Sequence, residues 1–311
     1  MTMLMSLSTH SGYEDLRARM GGEKAQSRAF LPWCESRPAY TAQRWKRRAG
    51  LPWWRTVHTL HGQGADVVFV STRLGDDDAM RLSADALVIR RENIGYDFWS
   101  YKVGIDALGD LGRYQRLLLL NSSMLVTDPA RLLTLMRAHA GQVDLLGLTL
   151  SHEVRPHLQS FWLSFENPAI LHSEAFSRWW GGLQTLSERE AVIAQQELGL
   201  SAHFALAGFR LGALLRLDRT QKLRAVARAI DNGFLPIDAG TQGPVPIDPD
   251  WADRLNPTMY AWDAVFEQLG VLKLELLKRN PHRISLAALS ERLRGDEALR
   301  SLLLDAGVST C

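Results

Sequence analysis

Cysteine is scarce in this chain: Cys34 and Cys311 are the two in 311 residues. They sit near opposite ends with no ligand-like spacing, which excludes a disulfide framework and a cysteine-based zinc site and fits a reducing compartment. Long apolar runs are missing as well, none approaching the roughly 18 residues of a membrane span. The opening MTMLMSLSTHSGYEDL has neither a basic n-region nor a long apolar h-region, so it makes a poor secretory signal. The expected location is therefore the cytoplasm, with any membrane contact made peripherally at the inner face. Charge of one sign is also lacking. A net charge of +2 argues against nucleic acid as the main partner, because such binding calls for a far more basic domain or stripe. The one basic cluster is RWKRRAG, with Arg44, Lys46, Arg47 and Arg48. It reads either as a solvated face or as a patch for anionic lipid or a phosphorylated ligand. Internal repeats are absent.

What the chain does have is an apolar fraction of 46%, enough for the core of one large domain near the size at which chains divide. Residues 1–60 show no sustained period and form a poorly defined N-terminal segment. From 61 to 282, ADVVFVST (65–72), ALVIRR (86–91), the RLLLL run (116–121), DLLGLTLS (144–151) and HLQSFWLSF (157–165) read as strands. LGDDDAMRLSA reads as a short polar helix or loop, and helical spacing begins after Asp97. ARLLTLMRAHA reads as a helix opened by Asp128 and Pro129. Ser187 and Glu190 form a capping-box pattern ahead of AVIAQQELG, Gly199 is placed to stop that helix, and another is expected from Ser201 toward Gly208. Residues 231–258 concentrate Pro, Gly, Asp and Asn as a long surface loop. Helical leucine spacing resumes from Met259, and 283–311 form a helical extension. Strands alternating with helices predict an α/β fold with a mostly parallel sheet flanked by helices and joined by right-handed crossovers.

Ligands of open α/β sheets collect at the carboxyl ends of the strands, and three polar clusters fall there. ENIGYD follows ALVIR and carries Asn93, Gly95 and Asp97. NSS follows RLLLL with Asn121, Ser122 and Ser123. SHEVRPHLQS follows DLLGLTL with Glu153, His157, Gln159 and Ser160. A helix starting near Asp97 offers free backbone N–H groups, and Gly95 lets the turn pass close to a ligand. Carboxylates in that position suit a sugar or base hydroxyl better than a phosphate. Each cluster also has a plainer reading. Asp97 serves as a helix N-cap, Asn121 and the serines form a turn, His157, Gln159 and Ser160 make the polar face of a half-buried strand, and Glu197 is a solvated helix residue. Trp53, Trp54, Trp99, Trp162, Trp179 and Trp180 offer faces for sugar rings, although core packing explains most of them better.

Taken in order, ENIGYDFWSYKVGIDAL, LLLLNSSMLV, DLLGLTLSHEVRPHLQSFWLSF, AQQELGLSAHFALAGF and NPTMYAWDAVFEQLGVLKLELLKRNP resemble the rhamnan synthesis protein F family of bacterial polysaccharide glycosyltransferases. The resemblance spans about residues 60–282. It implies a GT-A-like fold, a nucleotide-sugar donor and, as acceptor, a growing cell-surface glycan that is often rhamnose-containing and lipid-linked. It implies donor-site roles for Asn93, Gly95, Asp97, Asn121, Ser122 and Ser123. His157 and Gln159, with Ser160 beside them, would orient sugar hydroxyls. Glu197 would be the base of an inverting transfer, with Glu153 the second choice. Two departures stand out. Ser122 occupies the place of an expected carboxylate, and a hydroxyl is a poor ligand for Mg2+ or Mn2+. Metal ligation would then fall to Asp97, Asp128 or His203, or Arg155 or Arg210 would neutralise the leaving diphosphate instead. The second departure is a weak first strand, for which MLMSLSTHSGY is the candidate. Both keep open an alternative, a degenerate protein that binds nucleotide or glycan without turnover.

Overall fold

A computed structural model describes residues 2–8, 52–139, 141–234, 248–305 and 308. Both cysteines and the Arg44–Arg48 cluster lie outside the described residues. The strands in chain order are β1 (Thr2–Ser8), β2 (Ala65–Ser71), β3 (Leu87–Arg90), β4 (Tyr114–Asn121), β5 (Met124–Val126), β6 (Leu145–Gly147), β7 (Leu150–Ser151), β8 (His157–Leu158), β9 (Trp162–Phe165), β10 (Leu211–Ala213) and β11 (Val271–Lys273). Seven of them form one sheet in the order β10-β6-β9-β4-β1-β2-β3. The runs read as strands in ADVVFVST, ALVIRR and RLLLL are all present. DLLGLTLS and HLQSFWLSF each break in two, because β7 and β8 leave the sheet as a small antiparallel hairpin. Val271–Lys273, expected to continue a helix, instead pairs with β5.

The sheet is mixed, which corrects the expectation of a mostly parallel one. Only the β2–β3 and β6–β10 ladders are parallel, while β1 runs antiparallel to both β2 and β4, and β9 to both β4 and β6. β1, the weak first strand for which MLMSLSTHSGY is the candidate, is present in an N-terminal segment otherwise expected to hold little regular structure, and it lies inside the sheet between β4 and β2. A run of apolar residues reports burial on both faces, not strand direction. Because β1 and β9 are each inserted between strands pointing the other way, β2, β3, β4, β6 and β10 still end at one common edge.

Strand alternation distributes the core between the two faces. Val67, Phe69, Leu118 and Leu120 join the helices α1 (Pro52–Gly62) and α4 (Pro129–Arg137) on one side. Val68, Val70, Leu117 and Leu119 face the other side, where α3 (Tyr96–Leu108), α5 (Glu174–Gly181) and α6 (Leu198–Leu206) pack. A short α2 (Asp76–Leu82) joins β2 to β3. A third cluster holds α7 (Arg219–Asp231), Tyr260, Trp262 and the C-terminal Leu289, Leu299 and Leu303 around Leu125 and Leu272 of the β5–β11 pair. Trp162 and Trp180 are buried, and Trp53, Trp54 and Trp179 pack against the two sheet cores.

Asp128 caps α4 as its Asp-Pro signal predicts, its carboxylate accepting from the Arg131 N–H at 2.9 Å. The Ser187–Glu190 capping box does not form. The helix there is preceded by Glu188 with no side-chain cap, and it passes through a π-helical turn at Val192–Glu197 straight into α6. Gly199 does not stop it and Ser201 does not start a new one. Burial of Leu198, Leu200 and Phe204 outweighs the modest helix penalty of glycine. Gly199 instead admits the Trp179 ring, which would stand 3.0 Å from an added Cβ.

Candidate active site

The turn after β3 sets the site's first wall. Gly95 sits at φ 68° and is the N-cap of α3, with no side chain capping the helix. A Cβ on Gly95 would fall 2.7 Å from the Trp99 Cβ, so the position is closed to other residues by both strain and contact. Asp97 is therefore not the cap. It lies in the first turn of α3, and its Oδ2 accepts a hydrogen bond of 2.9 Å from Asn121 Nδ2 at the end of β4. The Asn121 Oδ1 in turn accepts from the Ser123 backbone N–H at 3.0 Å and from its hydroxyl. Asp97, Asn121 and Ser123 are thus one connected group, with Ser122 half-buried in the same turn. Asn93 is exposed at the tip of the first turn.

Arg91, which reads in the sequence as no more than a strand end, holds that turn in shape. Its guanidinium donates to the carbonyls of Glu92 (2.7 Å), Ile94 and Tyr96 (2.6 Å) and to the Ser100 hydroxyl (2.9 Å from Nε). Burial lowers its pKa while the Asp97 carboxylate works in the opposite sense. With three carbonyls drawn toward the arginine, the turn keeps its odd backbone, including Tyr96 at φ 50°.

A second wall comes from the helix that follows the π turn. Glu197 closes that turn, a form of helix often found at functional sites. Its Oε1 accepts from the Ser160 backbone N–H at 2.9 Å and from the Ser160 hydroxyl at 3.0 Å. The two walls meet at Tyr101, one helical turn beyond Asp97 and so on the same face of α3. Tyr101 is fully buried, and its hydroxyl donates to the Ser160 carbonyl at 2.7 Å. Burial pushes this phenol well above its usual range, the Asp97 and Glu197 carboxylates add to the rise, and the Asn121 amide opposes it. Asp97, Asn121, Ser123, Ser160 and Glu197 therefore gather around one buried tyrosine.

The other residues that the sequence singles out lie elsewhere or are already occupied. Glu153 is exposed in the β7–β8 loop, where its Oε2 is 3.4 Å from Asn256 Nδ2. Gln159 is buried with its amide occupied at both ends, by Thr149 (2.8 Å) and Asn256 (3.3 Å). His157 is buried, its Nδ1 2.8 Å from the Arg155 carbonyl. His203 Nε2 is bound to the Ala175 carbonyl at 2.8 Å, with the imidazole against Trp179. Arg210 is not available to a leaving diphosphate. It clamps Asp144 at the amino ends of β6 and β10, the sheet edge opposite Asn121. Arg155, among the described residues, reaches the Ala194 carbonyl at 3.5 Å. Among the described residues no three His, Cys, Asp or Glu side chains gather as an all-protein metal cage requires. A groove of about 420 Å³ lined by Lys102, Asp106, His172 and Trp180 lies toward the other end of α3 and includes none of the residues above.

Chemically, the arrangement offers a half-buried carboxylate with one oxygen anchored and the other without a hydrogen bond from the described residues, facing a carboxylate–amide pair across a buried phenol. A family model described as rhamnan synthesis protein F matches residues 67–231, more than half of the chain. An uncharacterized protein, y4gN, of Sinorhizobium fredii is 30% identical over 162 residues, covering 50% of this chain and 42% of that relative, so the chain spans less than half of its length. Virulence protein VirA of Vibrio anguillarum is 29% identical over 240 residues, 73% of this chain and 74% of the relative. No solved structure matches the chain.

Proposed function

The chain belongs to the rhamnan synthesis protein F family, and from that premise we propose that it is a glycosyltransferase of GT-A-like design. It moves a sugar, rhamnose by the family's name, from a nucleotide-sugar donor to a growing cell-surface polysaccharide or lipopolysaccharide, with inversion at the anomeric carbon. The observation that carries this reading is the convergence of Asp97–Asn121 and Ser160–Glu197 at the carboxyl edge of the sheet.

In an inverting transfer the acceptor hydroxyl loses its proton as its oxygen bonds to the anomeric carbon. The bond to the nucleoside diphosphate breaks, and its electrons leave with the phosphate. Glu197 is the proposed base: Ser160 fixes Oε1, and Oε2 takes the proton. Asp97 and Asn121 hold donor hydroxyls, Asp97 as acceptor and Asn121 as donor. The uncapped first turn of α3 supplies backbone N–H groups for the departing diphosphate. A Mg2+ or Mn2+ ion on a donor diphosphate needs only one or two protein carboxylates, so metal dependence is one arm of the test. We assign the reaction to the cytoplasm with the acceptor, free or lipid-linked, presented at the inner membrane surface. No helix among the described residues is long and apolar enough to cross a membrane.

The test is transfer by the purified protein from a panel of nucleotide sugars to glycan primers, with Mg2+, Mn2+ or a chelator. Glu197→Gln is expected to lower kcat on the order of 100-fold or more, and an unchanged rate would return the base role to Glu153. Ser122, standing where a carboxylate is expected, favours a second reading as a binding protein. Tight calorimetric binding of nucleoside diphosphates with no sugar released from any donor would select it.

A further inference from the structure

The two walls of the site belong to segments far apart in sequence, and Tyr101 is the side chain that touches both. Its ring is locked in the core edge-on to Phe98, with centroids 5.8 Å apart. Its hydroxyl reaches the Ser160 carbonyl at 2.7 Å, and the Asn121 amide acts on the same phenol, opposing the rise in its pKa. Ser160 gives its carbonyl to Tyr101 and both its donors to Glu197 Oε1, so the tyrosine holds, through the peptide on the other side of its Cα, the residue that supplies those donors. Asn121 in turn holds Asp97. Hydrogen bonds join Tyr101 to Ser160 and Ser160 to Glu197, and Asp97 and Asn121 act on the same phenol, a residue that is 0% exposed and cannot itself meet a substrate.

We propose that Tyr101 is the positioning residue of this site, setting where the Glu197 carboxylate stands relative to the Asp97–Asn121 pair. This role rests on the transferase reading for its consequence in turnover, but the coupling itself does not. The charges facing the phenol come from two different elements, Asp97 on its own helix and Glu197 at the end of the π turn. Removing the hydroxyl while keeping the ring leaves the Phe98 packing in place and releases the Ser160 carbonyl. An error of this kind moves a base by a fraction of an ångström to an ångström, and a misplacement of that size costs turnover far more than it costs donor affinity.

The experiment is a double-mutant cycle on Tyr101→Phe and Glu197→Ala, read in two ways. In steady-state transfer, Tyr101→Phe is expected to lower kcat roughly 10- to 100-fold with the donor KM nearly unchanged, and to lose nothing further in the Glu197→Ala background. In urea unfolding, which needs no substrate, the midpoint shifts of the two variants are expected to fall short of additive, with Ser160→Ala reproducing the coupling. Additive midpoint shifts, or a Tyr101→Phe enzyme with wild-type kcat, overturn the proposal. A wild-type protein inert toward every donor but with non-additive midpoints would retain the positioning role and reject the transferase reading.

Discussion

Gly95 and Arg91 are the residues on which the first wall of the site depends, and each makes a distinct prediction. Gly95→Ala places a Cβ 2.7 Å from Trp99 in a left-handed backbone. It should cost about 1–2 kcal/mol in urea unfolding from the backbone alone, with a larger loss in donor affinity because the turn must shift. Arg91→Lys keeps the charge but loses the planar fork that spans three carbonyls and Ser100. A loss of about 1–3 kcal/mol is expected, and a thermal melt of this variant beside Arg91→Ala checks whether geometry or charge carries it. If Lys is as stable as wild type, the fork is not the cause. Asp97, Asn121, Ser123 and Ser160 could be picked from the sequence because each belongs to a polar cluster that follows an apolar strand, whereas Glu197, a solvated helix residue by its spacing, was singled out by the family resemblance. Arg91 and Tyr101 could not be picked either way. An arginine closing a strand looks like a solvated charge, and a tyrosine at helical spacing looks like core. Only the fold reveals that the arginine is filled by carbonyls and the phenol by two walls. Gln159 and His203 were legible as polar but not as already occupied, since their partners lie 10 and 28 residues away in sequence.

At the level of elements, the β6–β10 ladder is closed by Asp144 and Arg210. The Arg210 guanidinium, together with its backbone N–H and the Asn167 amide, holds the Asp144 carboxyl at about 2, below its ordinary value of 3.8. A depressed carboxyl stabilises the fold above its unfolded pKa, and that contribution is lost as pH falls through the folded value. Urea midpoints should therefore drop between about pH 4 and pH 2. Arg210→Ala should show a shallower drop across the same window while its midpoint at pH 7 is already lower. An equal slope in both proteins would count against the clamp. Element type was readable wherever composition decided it, as in the β-branched ADVVFVS of β2 and the Asp-Pro start of α4. It was misread wherever packing decided it. Gly147 brings its backbone against Leu158, whose side chain would stand 3.1 Å from an added Cβ, and the DLLGLTLS run breaks there. Helix α6 continues through Gly199 because its apolar face is buried, a fact that no local signal carries.

For the molecule as a whole, the third core ties the C-terminus to the rest. Leu289, Leu299 and Leu303 are buried with Tyr260 and Trp262, and the last helix also packs on α1. Deleting residues 283–311 should therefore expose that cluster. At about 2–5 kcal/mol for each large aliphatic side chain lost from a core, the truncated protein should melt far earlier or fail to accumulate. A truncated chain melting with the full one would show that the two parts are independent. The common edge for β2, β3, β4, β6 and β10 was legible in outline, because polar clusters follow three of those strands. The reversed β1 and β9 were not, since strand direction depends on pairings with no local signature. That central reversed strand has a practical consequence. Thr2 is paired with Val70 on one side and Asn121 on the other, so the first described residue of the chain stands beside the Asn121 turn. An affinity tag fused in front of the chain would therefore hang over the very place where turnover is to be assayed, and purification handles for such experiments belong elsewhere.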